Sequence, residues 1–307
     1  MVHSSIAVVS ALLVTIVPYA MGSLDEIFAA FEGATATKTR PEVDRVVPFK
    51  NKGATVKTRF PDLDFSEKFR VVGGVDADPT LYPFFTFVQI DKTYSDGPGS
   101  ELCAGSLIAP DIVTTAAHCF IEGTVDAITV RVNNTSVNET GYDYIRDVKS
   151  YERHPQFDEV TYNNDVGILV LSEAVTEVTP LALNGDAGVP ADGQDLELIG
   201  MGLLEENGTS PEFLQMTTIQ SIPTLTCADL YSDTADGPIA IEASVQLCAA
   251  APGKDACKGD SGAPLLLSTG SGFLMVGTVS FGIGCALPVS FFQLGRLIKS
   301  QRETIPR

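Results

Sequence analysis

An all-β fold, an antiparallel sandwich or a barrel arrangement, is what this sequence predicts, on three observations. From Val71 onward short runs rich in Val, Ile, Phe and Thr recur, among them "PFFTFVQI", "AITVRV", "VGILVL", "DLELIGMG" and "FLMVGTVSFG". Clusters of Gly, Asp, Asn and Pro separate these runs, which is the punctuation of strands and turns. No internal repeat appears at solenoid periods. With 44% hydrophobic residues in 307, the chain has enough apolar surface for a substantial core. The one convincing helical segment is the last, around Leu294–Ile305.

The amino-terminal stretch "MVHSSIAVVSALLVTIVPYAMGS" reads as a signal peptide over residues 1–22. Ile6 to Val17 forms the apolar run, and Ala20-Met21-Gly22 supplies small residues for cleavage before Ser23. The run is short for a membrane anchor, so the expected location is extracellular, after secretion. Residues 23–70 are polar, lack cysteine and show no sustained period, as a pro-segment or linker does.

Acidity is unevenly placed. The formal net charge is −19. The first 70 residues carry nine Lys+Arg against eight Asp+Glu, leaving 11 basic and 31 acidic residues beyond them. That balance argues against a nucleic-acid partner and against adhesion to an anionic membrane.

Six cysteines all follow position 100: Cys103, Cys119, Cys227, Cys248, Cys257 and Cys285. An even number in an oxidising compartment implies disulfides, and sequence alone leaves their pairing open. Asn133, Asn134, Asn138 and Asn207 each begin an N-x-[ST] glycosylation acceptor, in agreement with secretion. His154, in "ERHPQF", belongs to no motif and reads as a surface loop residue.

The chemistry-bearing stretches are "VTTAAHCF", "NNDVGILVL" and "KDACKGDSGAP". Each alone has a plain reading: a loop histidine near a disulfide, a turn-forming aspartate, a glycine turn. In the order His118, Asp165, Ser261 they read as one device. A serine hydroxyl attacks only when an imidazole takes its proton, and that imidazole needs a carboxylate to fix its tautomer. The amides of Gly259 and Ser261 can form an oxyanion hole.

With these stretches in view, the chain from Val71 resembles the chymotrypsin/trypsin family of serine proteases. The motifs that carry the resemblance are "RVVGG" at 70–74, "TAAHC" at 115–119, "NNDVGILVL" at 163–171, "GKDACKGDSGAP" at 253–264 and "VSFGIGCA" at 279–286. The resemblance implies a protease domain over 71–307, built of two antiparallel six-stranded β-barrels and a C-terminal helix. It implies the disulfides Cys103–Cys119, Cys227–Cys248 and Cys257–Cys285. It makes the protein a zymogen, activated by another protease that cuts after Arg70. The new amino terminus, Val71, then pairs with Asp260. Asp255 corresponds to the aspartate that selects Lys or Arg at the base of the primary pocket. Ser280 and Gly282 would line that pocket.

The expected partners are protein or peptide substrates, the activating protease and protein protease inhibitors, and the expected state is a monomer. No cofactor or metal is expected. The acidic loop "NNTSVNETGYDY" does not match calcium ligands residue by residue.

Departures from the family pattern sharpen the expectation. Trp is absent; Phe281 and Met201 stand where the family usually has it, and Ala263 replaces a Gly. After Cys285 the chain reads "CALPVSFFQLGRL", which aligns Phe292 with a glycine of the pocket wall. The expected function is a secreted serine endopeptidase whose Lys/Arg preference, read from Asp255, is opposed by Phe292. The alternative is a weak or inactive homologue that acts as a binding or inhibitory protein.

Overall fold

In the computed structural model the described residues are 73–136, 144–204, 208–232, 238–282, Cys285 and the backbone of 292–296. The expected signal peptide and pro-segment, together with Arg70, Val71, Asn138 and Asn207, lie outside them.

Six strands form the first barrel: β2 (Phe85–Tyr94), β3 (Gly97–Ala109), β4 (Ile112–Thr115), β5 (Thr124–Val132), β6 (Tyr144–Arg153) and β7 (Gly167–Leu171). Their order β2-β3-β4-β7-β6-β5 closes on itself through the β2–β5 ladder. Closure pairs every strand on both sides and removes exposed edges. Strict alternation drives it: Val88 and Ile90 on β2 are fully buried, as are Val130 and Val132 on β5, while intervening residues face outward.

The second unit contains β1 (Val75–Asp76), β8 (Ala182–Leu183), β9 (Asp195–Gly200), β10 (Gln215–Ile222), β11 (Gln246–Ala250), β12 (Pro264–Thr269), β13 (Gly272–Gly282) and β14 (Phe292–Arg296). It is an eight-stranded sheet running β1-β10-β11-β14-β13-β12-β9, with β8 beside β13. Because β9 also pairs with β10, the six strands β9 to β14 close into a ring. The two-barrel expectation therefore holds, with two short strands added at the margin. One apolar cluster runs through both units, from Val88 and Leu107 to Leu198, Leu265 and Val276.

Helix placement corrects the sequence reading. Leu294, Gly295 and Arg296 belong to β14, which is hydrogen-bonded to β11 on one side and β13 on the other. Both neighbours need a partner between them, and that demand outweighs local helical preference. Residues 297–305, the rest of the expected helix, lie outside the described residues. The α-helix seen among the described residues is α1, Thr224–Tyr231. At eight residues it is too short to persist alone. Burial of Tyr231 and the tie from Cys227 to Cys248 on β11 hold it. Among the described residues no helix is long and apolar enough to cross a membrane.

Candidate active site

His118, Asp165 and Ser261, separated by up to 143 positions in sequence, meet where the two barrels abut. His118 sits in a single 3-10 turn, Ala117–Phe120, directly after β4. Disulfide Cys103–Cys119 ties that turn to β3. Asp165 leads into β7 after a tight loop in which Tyr162 and Asn164 both have positive φ. The nucleophile candidate lies between β11 and β12, and disulfide Cys257–Cys285 crosses this loop. All three disulfides join the partners that the resemblance implies.

Hydrogen bonds run through the three side chains in one line. The Asp165 carboxylate is buried and accepts the His118 amide on Oδ1 at 2.8 Å. Its Oδ2 lies 2.7 Å from His118 Nδ1, and His118 Nε2 lies 2.9 Å from Ser261 Oγ. A carboxylate only accepts, so Nδ1 carries the proton and Nε2 is left to accept from the hydroxyl. Burial pushes the imidazole pKa down; the Asp165 charge and hydrogen bond more than offset it. Glu101 adds to the rise and Lys92 opposes it. The net position is above the ordinary 6.5. A raised affinity at Nε2 favours transfer of the hydroxyl proton to the ring.

Both barrels grip the serine loop. Ala104 on β3 donates its amide to the Ser261 carbonyl at 2.7 Å, and Gly262 donates to Val279 on β13 at 2.8 Å. Gly262 has a φ of +84°, and a Cβ there would lie 2.3 Å from the Ala104 carbonyl and 2.4 Å from Thr115 Oγ1. Only glycine permits that approach. Gly259, the other residue expected at the oxyanion hole, also has positive φ, at +98°.

The Asp260 side chain lies in a buried cradle. Gly202 donates to Oδ1 at 2.7 Å and Cys257 to Oδ2 at 2.9 Å, with a further amide from Met201. Burial nonetheless pushes its pKa up to about 6. The cradle excludes side chains: a Cβ on Gly200 would come within 2.0 Å of Asp260 Oδ1, and one on Gly202 within 2.6 Å of its carboxyl. Met201 keeps its amide in the cradle and its side chain in the core.

Asp255 is fully buried, so it is not a solvated loop acid. Its charge reaches Tyr231 on α1, whose phenol is pushed up first by burial and then by that carboxylate. Neighbouring Lys254 turns away to the Thr218 carbonyl at 3.0 Å. The register of β14 sets Phe292 opposite Gly282 on β13 and Ala249 on β11.

Some expectations change. Ser280, read as a substrate-binding residue, gives its hydroxyl to Asp165 Oδ2. That short contact makes it a third donor to the carboxylate. His154, read as a surface residue, is buried; its amide donates to Val166 and its Nδ1 accepts from Gln156. It thus braces the segment that leads into β7. Asn134 is buried with Nδ2 donated to the Ser136 carbonyl, which leaves no space for a glycan in the folded domain, whereas Asn133 is half-buried. Sequence reasoning missed Tyr162, whose ring centroid lies 5.6 Å from His118 and 5.3 Å from Phe281. The aromatic in "YNND", three positions before Asp165, was the available signal.

Comparison with known proteins agrees with this geometry. The family model described as Trypsin matches residues 71–294. The chain is 34% identical over 227 residues to a vitellin-degrading protease of Bombyx mori, covering 71% of this chain and 78% of that protein. It is 33% identical over 236 residues to trypsin delta of Drosophila melanogaster, covering 76% and 85%. Hypodermin-B of Hypoderma lineatum is 33% identical over 223 residues, covering 71% and 80%. Two barrels, the placement of the three polar side chains and these relatives lead to one conclusion: the chain is a serine endopeptidase of the chymotrypsin/trypsin family.

Proposed function

We propose that the protein is a secreted precursor which, once cut after Arg70, hydrolyses peptide bonds with Ser261 as nucleophile, His118 as general base and Asp165 as the orienting carboxylate. The observation that carries this reading is the unbroken run of hydrogen bonds from Asp165 to His118 to Ser261. The Ser261 oxygen bonds to the peptide carbonyl carbon as its proton passes to His118 Nε2. Collapse of the tetrahedral intermediate breaks the C–N bond, and the imidazolium returns its proton to the departing amine. Water then repeats the sequence on the acyl-enzyme. The amides of Gly259 and Ser261 receive the oxyanion; each such donor is worth roughly 3 kcal/mol in the transition state.

Activation follows from the burial of Asp260. Amide donors partly compensate a buried carboxylate, and a cation compensates it better. The ammonium created at Val71 is that cation. Its arrival holds the loop 255–262 in the form that makes the hole and the primary pocket.

For specificity, the buried Asp255 favours Lys or Arg beneath the scissile bond. Phe292 opposite Gly282 stands where a small residue would leave the slot widest. The combined reading is a trypsin-like preference that is weakened, with small residues tolerated.

The test of the catalytic assignment is peptide hydrolysis by Ser261→Ala, His118→Ala and the double variant. Each single change should remove most activity, and the double should add little, because the residues act as a unit. Undiminished hydrolysis by Ser261→Ala would refute it.

A further inference from the structure

Ala104 is buried, with one backbone amide and one carbonyl to satisfy. On an antiparallel strand the two groups of one residue face the same side. The β3–β4 ladder that would take them has its last pair at Ser106 and Thr114, two residues short of Ala104. The serine loop fills part of that gap, since the Ala104 amide donates to the Ser261 carbonyl. The Ala104 carbonyl is met by a side chain, the Thr115 hydroxyl, at 2.7 Å. A hydroxyl thus replaces the missing rung between β3 and β4.

Thr115 touches the supports of all three polar side chains. It is fully buried, ends β4 and stands three positions before His118. Its backbone pairs with Gly167 on β7, two positions after Asp165. Its hydroxyl reaches Ala104, which holds Ser261. The serine loop also lies against it: the place a Cβ of Gly262 would take is walled by Thr115 Oγ1, the Ala104 carbonyl and the Ala116 amide. Disulfide Cys103–Cys119 joins the same two segments on the other side of His118, so two ties bracket the imidazole's backbone.

We propose that Thr115 is a positioning residue for Ser261, its hydroxyl holding β3, and with it the serine carbonyl, at a fixed distance from the strand that delivers His118. It touches no substrate. The inference rests on Ser261 being the nucleophile and His118 its base. Without the hydroxyl the buried Ala104 carbonyl has lost its donor, and an unmet buried acceptor is costly enough to move its strand. The disulfide alone then remains, and the two segments can pivot about it. Ser261 moves with Ala104, and its 2.9 Å contact with His118 Nε2 lengthens. Thr115→Ser keeps the donor, whereas Thr115→Val keeps the shape without it.

The experiment compares wild type, Thr115→Val and Thr115→Ser, all as the cut enzyme. It measures kcat and KM on one peptide substrate and the rate of fluorophosphonate labelling of Ser261, each per folded molecule counted by circular dichroism. Labelling reads the reactivity of the serine apart from peptide binding. Thr115→Val should lower kcat and the labelling rate together, by about tenfold or more, with KM within about twofold. Thr115→Ser should stay within about threefold of wild type in both rates. Thr115→Val with wild-type kcat and labelling would overturn the proposal, even at a lowered Tm, which is the mark of a structural role alone. So would a rise in KM with labelling unchanged, or Thr115→Ser as slow as Thr115→Val. Should Thr115→Val fail to fold, Thr115→Ala takes its place under the same outcomes, since the smaller side chain admits a water to the Ala104 carbonyl but ties nothing to β4. Labelling of a residue other than Ser261 in the wild-type enzyme would instead strike the nucleophile assignment, so the two failures are distinguishable.

Discussion

Ala104 and Ser261 belong to different barrels, and the Ala104 amide donates to the Ser261 carbonyl at 2.7 Å. The Ser261 backbone is thereby referenced to β3, the strand that also anchors the His118 turn through Cys103. Ser261 and His118 share one support although their loops come from separate units.

Gly262 is the residue that lets this contact form. Gly262→Ala would drive a methyl to 2.3 Å from the Ala104 carbonyl at a φ that side chains disfavour. We expect kcat/KM to fall at least about 100-fold, the usual result of misplacing a reacting atom by about 1 Å. The check is steady-state kinetics, with circular dichroism to establish folding. A folded Gly262→Ala enzyme with wild-type activity would show that the clamp is dispensable.

Ser280 makes a separate contribution. It gives the Asp165 carboxylate a third donor, beside the His118 amide and ring. Ser280→Ala removes a hydrogen bond to a buried charge, a loss of about 1.5–3 kcal/mol. Expected is a ten- to hundredfold drop in kcat with KM little changed. A rise in KM with kcat intact would return Ser280 to the substrate-binding role first read from sequence.

How the sequence concealed Ser280 is instructive. Strands such as Phe85–Tyr94 were legible because apolar residues alternate, and the polar trio was legible because each member lies in a distinctive local motif. Ser280 lies in a motif of its own, yet nothing local shows that its hydroxyl bonds Asp165, 115 positions away. Lys92 was hidden for the opposite reason: a charged residue in an alternating strand looks like part of the wet face, and only closure of the barrel turns it inward. Helix α1 is two turns long and carries no sustained apolar stripe. At Leu294–Arg296, local preference was outweighed by the ladders that β11 and β13 offer to β14.

Asp260 predicts how cleavage and pH combine. Its folded-state pKa, about 6 in the amide cradle, is above the ordinary 3.8. A raised pKa contributes stability that is complete below the unfolded value and is lost as pH rises through the folded one. Above about pH 6 the uncut protein therefore holds a carboxylate met by backbone amides alone, which the Val71 ammonium of the proposed activation would relieve. The gain in Tm on cleavage should be small near pH 4 and should grow through about pH 6 toward neutrality. Differential scanning calorimetry of cut and uncut protein across that range checks it. A gain independent of pH would separate Asp260 from activation.

Phe292 bears on what is cleaved. Replacing it with Gly should raise kcat/KM on an Arg substrate relative to an Ala substrate, by at least about tenfold if its ring fills the slot above Asp255. Rates on Arg, Phe and Ala substrates for wild type and Phe292→Gly are the comparison to make. An unchanged Arg rate would leave Asp255 alone in charge of specificity.

The central claim is that Ser261 becomes a nucleophile when the chain is cut after Arg70. It is tested most directly by fluorophosphonate labelling, with the modified residue located by peptide mass. Labelling should appear on Ser261 only after cleavage, and should be absent from His118→Ala and from Arg70→Gln treated with the activating protease. Equal labelling of cut and uncut protein, or an adduct on a residue other than Ser261, would contradict the account.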